Sequence, residues 1–188
     1  MPLLTTDDFR TGFHALPLDK YNQLQSYIDK FEPLILCQLF GSELYDLYVA
    51  DLVDGVPQSP RFLEVFNPFC KTVQIKYCCW KGIWEYDYES RWCEELLQSE
   101  GIKEMLKGFI YFNYLPQLGN QQTPVGLTRK KVAASDMLSD KQVGRDAEQK
   151  LNQAIISYQA IQKFMCYNHD VYPEFDGQAK GYSYSSVI

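Results

Sequence analysis

Apolar residues recur at three- and four-residue intervals along most of this chain, a spacing that predicts amphipathic helices. Tyr21, Leu24, Ile28, Phe31, Ile35 and Leu39 form one such stripe from Asp19 to residue 39, with Pro33 inside it. A proline there removes a backbone donor and crowds the preceding turn, so the pattern predicts a kinked or two-piece helix. Gly41 is placed to end that helix in a left-handed cap, and Ser42 to cap a short second helix carrying Leu44, Leu47, Tyr48 and Leu52. A third helix is predicted over 99–115, from a Ser99 cap to a stop at Pro116. Its first half, Ile102, Met105, Leu106 and Phe109, is one-sided, whereas Phe109 to Leu115 is apolar on every side. Such a helix has to be covered all round, by its own domain or by another subunit. Ser139 and Gln142 fit a capping box that opens the last and longest helix, 139–167, roughly 43 Å long. Ala147, Leu151, Ala154, Tyr158, Ile161 and Met165 are its stripe, widened by Ile155, Ile156 and Phe164.

The period changes to two in one region. Val73, Ile75, Tyr77 and Cys79 alternate with polar or small residues, and after Lys81-Gly82 the alternation resumes as Trp84, Tyr86, Tyr88. That pattern predicts a β-hairpin turning at Lys81-Gly82, an insertion at about 70–92. Residues 53–69 hold Gly55, Pro57, Pro60 and Pro68 and read as loop, with one helical turn at 60–66. A loop of about twenty residues after Pro116 is long enough to be functional or mobile. Residues 1–17 read as an irregular arm, 18–167 as a helical-bundle domain, and 168–188 as an extended C-terminal tail. The tail lacks helical period yet carries Tyr172, Phe175, Tyr182, Tyr184, Val187 and Ile188, more apolar content than disorder needs. The fold class expected is mainly α: a helical bundle with a β-hairpin extension and an extended tail.

Length and composition narrow this further. The 188 residues suit one domain with a real core, and aromatic residues at 15% supply contact area between subunits as well as core. No apolar run approaches the ~20 residues of a membrane span, and MPLLTTDDFR lacks the basic start and apolar stretch of a signal peptide. No membrane partner is expected. The net charge of −6 opposes tight DNA binding, and Arg129-Lys130-Lys131 is the compact basic cluster, read first as a solvated loop.

Candidate chemistry is thin. The six cysteines (37, 70, 78, 79, 93 and 166) contain no C-x2-C pair, and the histidines are His14 and His169, so neither a metal nor a cofactor is expected. Glu85, Asp87 and Glu89, followed by Glu94 and Glu95, form an acidic comb that reads as a solvated strand face. Gly41, Gly119 and Gly126 make no phosphate-binding pattern, and neither histidine has a partner visible in sequence. No catalytic residue is assigned. An all-apolar helix without catalytic signature points to an assembly protein rather than an enzyme. Two alternatives stay open: a thiol- or metal-dependent protein using the 70–93 cysteines, and a ligand-binding module using the aromatic hairpin.

Several segments together resemble the head–tail connector (neck, ring or adaptor) proteins of tailed bacteriophages, most of all those of crAss-like phages. They are Ser99 to Leu106, Gly108 to Phe112 with Tyr114-Leu115, Thr123 to Leu127, the final helix, and YPEFDG at 172–177. The resemblance implies a structural virion protein: a homo-oligomeric ring, a dodecamer, that joins the portal to the tail and lines the DNA channel. DNA would pass without specific binding, in keeping with the acidic chain. It implies a place in the virion neck, and in the host cytoplasm during assembly, with portal and other neck or tail proteins as partners. It further implies that the tail clasps the portal through Tyr172, Pro173, Phe175, Tyr182, Tyr184, Val187 and Ile188. Thr123, Pro124, Arg129, Lys130 and Lys131 are expected loop contacts. The cysteine- and tryptophan-bearing hairpin departs from the smaller members of that group.

Overall fold

Five α-helices and three two-stranded antiparallel hairpins make up the computed structural model, which describes residues 3–16, 23–76, 92–118, 120–123, 126–129 and 140–175. The helices are α1 (Leu24–Phe40), α2 (Ser42–Ala50), α3 (Pro60–Phe66), α4 (Ile102–Leu118) and α5 (Asp140–Tyr167). The hairpins pair β1 (Leu52–Val53) with β2 (Val56–Pro57), β3 (Phe69–Lys76) with β4 (Trp92–Ser99), and β5 (Asn120–Thr123) with β6 (Gly126–Arg129). The fold is mainly α with a β-hairpin extension.

α4 is the centre of the core. Ile102, Met105, Leu106, Phe109, Ile110, Tyr111 and Tyr114 are all buried, and Phe112 and Leu115 are half-buried against the same cluster. Its cover comes from its own chain. α5 lies along one side with Ala147, Leu151, Ala154, Tyr158, Ile161 and Met165 buried, α1 packs on another, and the N-terminal arm adds Leu3, Leu4, Phe9 and Leu16. An all-apolar helix therefore does not by itself require a second subunit here. Two polar ties fix these layers: the Tyr158 hydroxyl donates to Gln38 C=O at 2.9 Å, and the Leu3 and Leu4 N–H groups donate to the buried Glu32 carboxylate. Burial raises the Glu32 pKa, although those two donors oppose the rise.

The start of α4 is set differently from a serine cap. Ser99 is the last residue of β4, and its hydroxyl accepts the Gly101 N–H at 3.1 Å. Gly101, at φ 86°, makes the turn, and its carbonyl accepts the Met105 N–H. A Cβ at Gly101 would lie 2.6 Å from Phe66 O, so both the backbone angle and α3 require glycine. α4 also continues past Pro116 to Leu118, because a proline in the last turn forfeits a single hydrogen bond. Pro33 likewise does not split α1, a single helix whose Pro33 and Asp29 face solvent, where water can satisfy the freed Asp29 carbonyl. Gly41 has positive φ (77°) but extended ψ (166°), not the left-handed helical cap expected, and it rather than Ser42 is the N-cap of α2.

The strand regions depart furthest from expectation. The second described strand of the hairpin, Trp92–Ser99, runs past the expected insertion at about 70–92, while the strand expected over 84–90 lies outside the described residues. An unbroken ladder around a two-residue turn at Lys81-Gly82 would set Lys76 opposite Asp87, but Lys76 pairs with Trp92. The turn residues themselves lie outside the described residues. Residues 52–57, expected as the end of the short helix at Leu52 and loop from Val53, form a tight hairpin around Asp54-Gly55, both at positive φ (51° and 74°), as a type I′ turn demands. The long loop after α4 contains the β5–β6 hairpin.

Phe109→Ala should cost roughly 3–5 kcal/mol, the range for emptying a fully buried aromatic site, and Phe112→Ala clearly less. Urea unfolding measures both. The buried Tyr48 hydroxyl has no hydrogen-bond partner among the described residues. Tyr48→Phe removes that desolvated group and should leave stability unchanged or raise it by about 1 kcal/mol in the same assay.

Candidate functional site

A set of ionisable groups gathers where the N-terminal arm crosses the seam between α4 and α5. The helices come close at Gly108, where a Cβ would lie 2.7 Å from the Ala154 Cβ and 3.0 Å from Lys150 O. Over that seam the arm lays Phe13 and His14. His14 is buried, its ring 5.1 Å from Phe13 and 6.1 Å from Tyr111, both edge-on. Its Nδ1 lies 3.4 Å from Glu104 Oε2, and neither ring nitrogen has a hydrogen-bond partner. The contact with Glu104 is thus a close polar approach at the long limit of a hydrogen bond.

The neighbouring groups answer one another. Glu104 also pairs with Lys107. Lys150 reaches Asp146 at 2.8 Å and sits over the Tyr111 ring at 3.9 Å, while the Tyr111 hydroxyl donates to the same Asp146. His14 first, then Lys107, hold the Glu104 carboxyl down to about 2 against the opposing effect of its partial burial. This network fastens an arm to a helix seam.

Beside it opens a cleft of about 630 Å³, within the range of ligand sites. Phe13, Pro68, Phe69 and Cys70 form its apolar wall, and Gln98, Ser99, Glu100, Glu104 and Gln153 its polar one. Among the described residues, two carboxylates and no lysine or arginine line it. The cleft suits a cation carried on an apolar stem, because carboxylates meet the charge and aromatic faces meet the stem.

The residues singled out from sequence are placed as follows. Tyr172 and Phe175, expected as partner contacts, are core residues of their own chain, 0% and 2% exposed. The Tyr172 hydroxyl donates to Arg61 C=O at 2.5 Å, its ring meets Phe164, and Glu174 pairs with Arg61 at 3.2 Å. The tail's first segment is therefore a strap on α3 and α5: an aromatic pair this large gains more from a ready apolar seat than from solvent. Pro173 is exposed. Thr123 ends β5 opposite Gly126, and Arg129 ends β6 opposite Asn120. Pro124, Lys130, Lys131, Tyr182, Tyr184, Val187 and Ile188 lie outside the described residues.

Cys70 and Cys93 do not meet. Cys70 pairs with Gln98 and Cys93 with Ile75, five ladder positions apart or about 17 Å along the strands. Cys78 and Cys79 lie outside the described residues, among which no three metal-ligating side chains cluster. Of the acidic comb, Glu95 is tied to Lys163 and Tyr167 and Glu94 is exposed, while Glu85, Asp87 and Glu89 lie outside the described residues.

The His14–Glu104 contact was beyond sequence reasoning, since ninety positions separate the two residues. The one available signal was a lone histidine in an arm rich in apolar residues. Because the folded pKa of Glu104 is depressed, its contribution to stability is complete above the unfolded carboxyl value near 4.5 and is lost as pH falls towards 2. A Glu104→Gln variant should therefore be less stable than the parent at pH 6, and the gap should close as pH falls below about 4 in thermal unfolding.

Comparison with known proteins adds a family. No curated protein and no solved structure matches the chain. Residues 85–184, more than half of it, match a family of unknown function, DUF6712, and span the close of the β3–β4 hairpin, α4, the β5–β6 hairpin, α5 and the strap; the chain belongs to that family.

Proposed function

We propose that this chain is a structural subunit of a phage neck, a ring that joins portal to tail and through which DNA passes. The observation that carries the reading is where the connector-like segments fall on the fold. Ser99 to Leu115 covers the Gly101 turn and the core of α4, Thr123 to Leu127 the β5–β6 hairpin, and the YPEFDG segment begins in the strap. These are the parts that set the shape of the subunit, as an assembly protein requires.

Surface chemistry supports it. Leu47 and Val49 on α2, and the directly paired Val53 and Val56 on the next hairpin, leave four large apolar side chains exposed within ten residues. Such a grouping favours contact with another protein. The ionisable groups at the α4–α5 seam serve to hold the arm, and a net charge of −6 suits a channel wall that must not grip phosphate. The portal clasp passes from Tyr172 and Phe175 to the residues beyond them, Tyr182, Tyr184, Val187 and Ile188.

Light scattering on the full chain mixed with the portal protein of its phage tests this. The expected product is a complex heavier than the portal by a fixed integral number of chains. A chain that stays monomeric and never joins the portal would rule the neck assignment out.

A further inference from the structure

We propose that the cleft beneath the arm receives the Arg129-Lys130-Lys131 segment of a second copy of this chain, an inference that rests on the ring reading above. The charges single out that occupant. Lys107 and Lys150 already answer Glu104 and Asp146, whereas Glu100, exposed on the cleft wall, has no ion-pair partner among the described residues. His14, 3% exposed with both ring nitrogens unpartnered, sets its Nδ1 3.4 Å from the lining carboxylate of Glu104. The site therefore holds an unanswered carboxylate, a second one already paired with Lys107, and the exposed Phe13 ring, which also meets Lys150 Nζ at 5.2 Å, for a lysine or arginine stem.

The sequence supplies one compact basic cluster, Arg129-Lys130-Lys131, in a chain of net charge −6. Two such chains repel at long range, so a contact between them gains from a local complement. The positions make the contact intermolecular. Glu100 and Glu104 flank the first turn of α4, and Arg129 pairs with Asn120 just beyond its last residue, Leu118. Fourteen helical positions from Glu104 to Leu118 amount to about 21 Å, so a chain's own basic segment starts at the far end of α4 from its own cleft. Complementary surfaces at opposite ends of one helix join copies head to tail. A head-to-tail contact repeats, and it produces a ring when its rotation closes.

Zero-length carbodiimide cross-linking tests this on a mixture of ordinary and isotopically heavy full-length chains. The expected product is a mixed-isotope peptide joining Glu100 or Glu104 to Lys130 or Lys131. The Gln98→Lys/Glu100→Lys chain should self-associate at least tenfold more weakly. Mixing it with an Arg129→Glu/Lys130→Glu/Lys131→Glu chain should restore association, since each then offers the other a complementary site. An oligomer that forms without this cross-link, a cross-link confined to single chains, or a Gln98→Lys/Glu100→Lys chain that assembles normally would overturn the inference and leave the ring standing. A parent chain that never self-associates would overturn both.

Discussion

Everything in this fold is arranged by the need to cover α4. Among its described side chains seven are buried, they spread over about two thirds of the helix circumference, and no single neighbour can cover more than one stripe. α5 takes one side, and Gly108 lets it come close. α1 takes another, and the arm closes the seam between α4 and α5 with Phe13 and His14. The C-terminal strap extends the same core through Tyr172 and Phe175. The hydrophobic demand is met within one chain, so any partner must be recognised by what remains outside: charge, and a few exposed apolar side chains.

Those remainders are organised. The ionisable groups do not scatter over the surface at the seam but interlock, with Glu104 between His14 and Lys107, and Lys150 between Asp146 and Tyr111. Buried or half-buried charges are tolerated because each finds an opposite one or an aromatic face. The cleft next to them is where that balance is left incomplete, on the side of negative charge. Incomplete balance in a built cleft is the kind of feature that another chain can complete.

How far the sequence could be read depended on the range of the interactions involved. α5 was legible almost to the residue, because its apolar stripe is a local signal summed over many turns. α4 was legible as a helix but not at its ends: Ser99 and Pro116 look like boundaries, yet Gly101 sets the start through tertiary crowding at Phe66 O, and Pro116 costs only one bond. The Asp54-Gly55 hairpin carried a strong local signal that neighbouring prolines masked. Of the candidate site, Thr123 and Arg129 were expected in a loop and stand on the β5–β6 hairpin, and the burial of Tyr172 and Phe175 was invisible. Aromatic content alone does not distinguish a strap seated on its own helices from a tail meant for another protein. The His14–Glu104 contact and the cleft were equally out of reach, since each is assembled from elements far apart in the chain.

The symmetry of the self-assembled particle tests the account most directly. Electron microscopy of the full chain, concentrated or nucleated on the portal, should show closed rings with a central opening and one rotational axis of high order, the product of head-to-tail contact. A two-fold dimer, in which the same patch meets itself, or a chain that remains single on the grid, would contradict it.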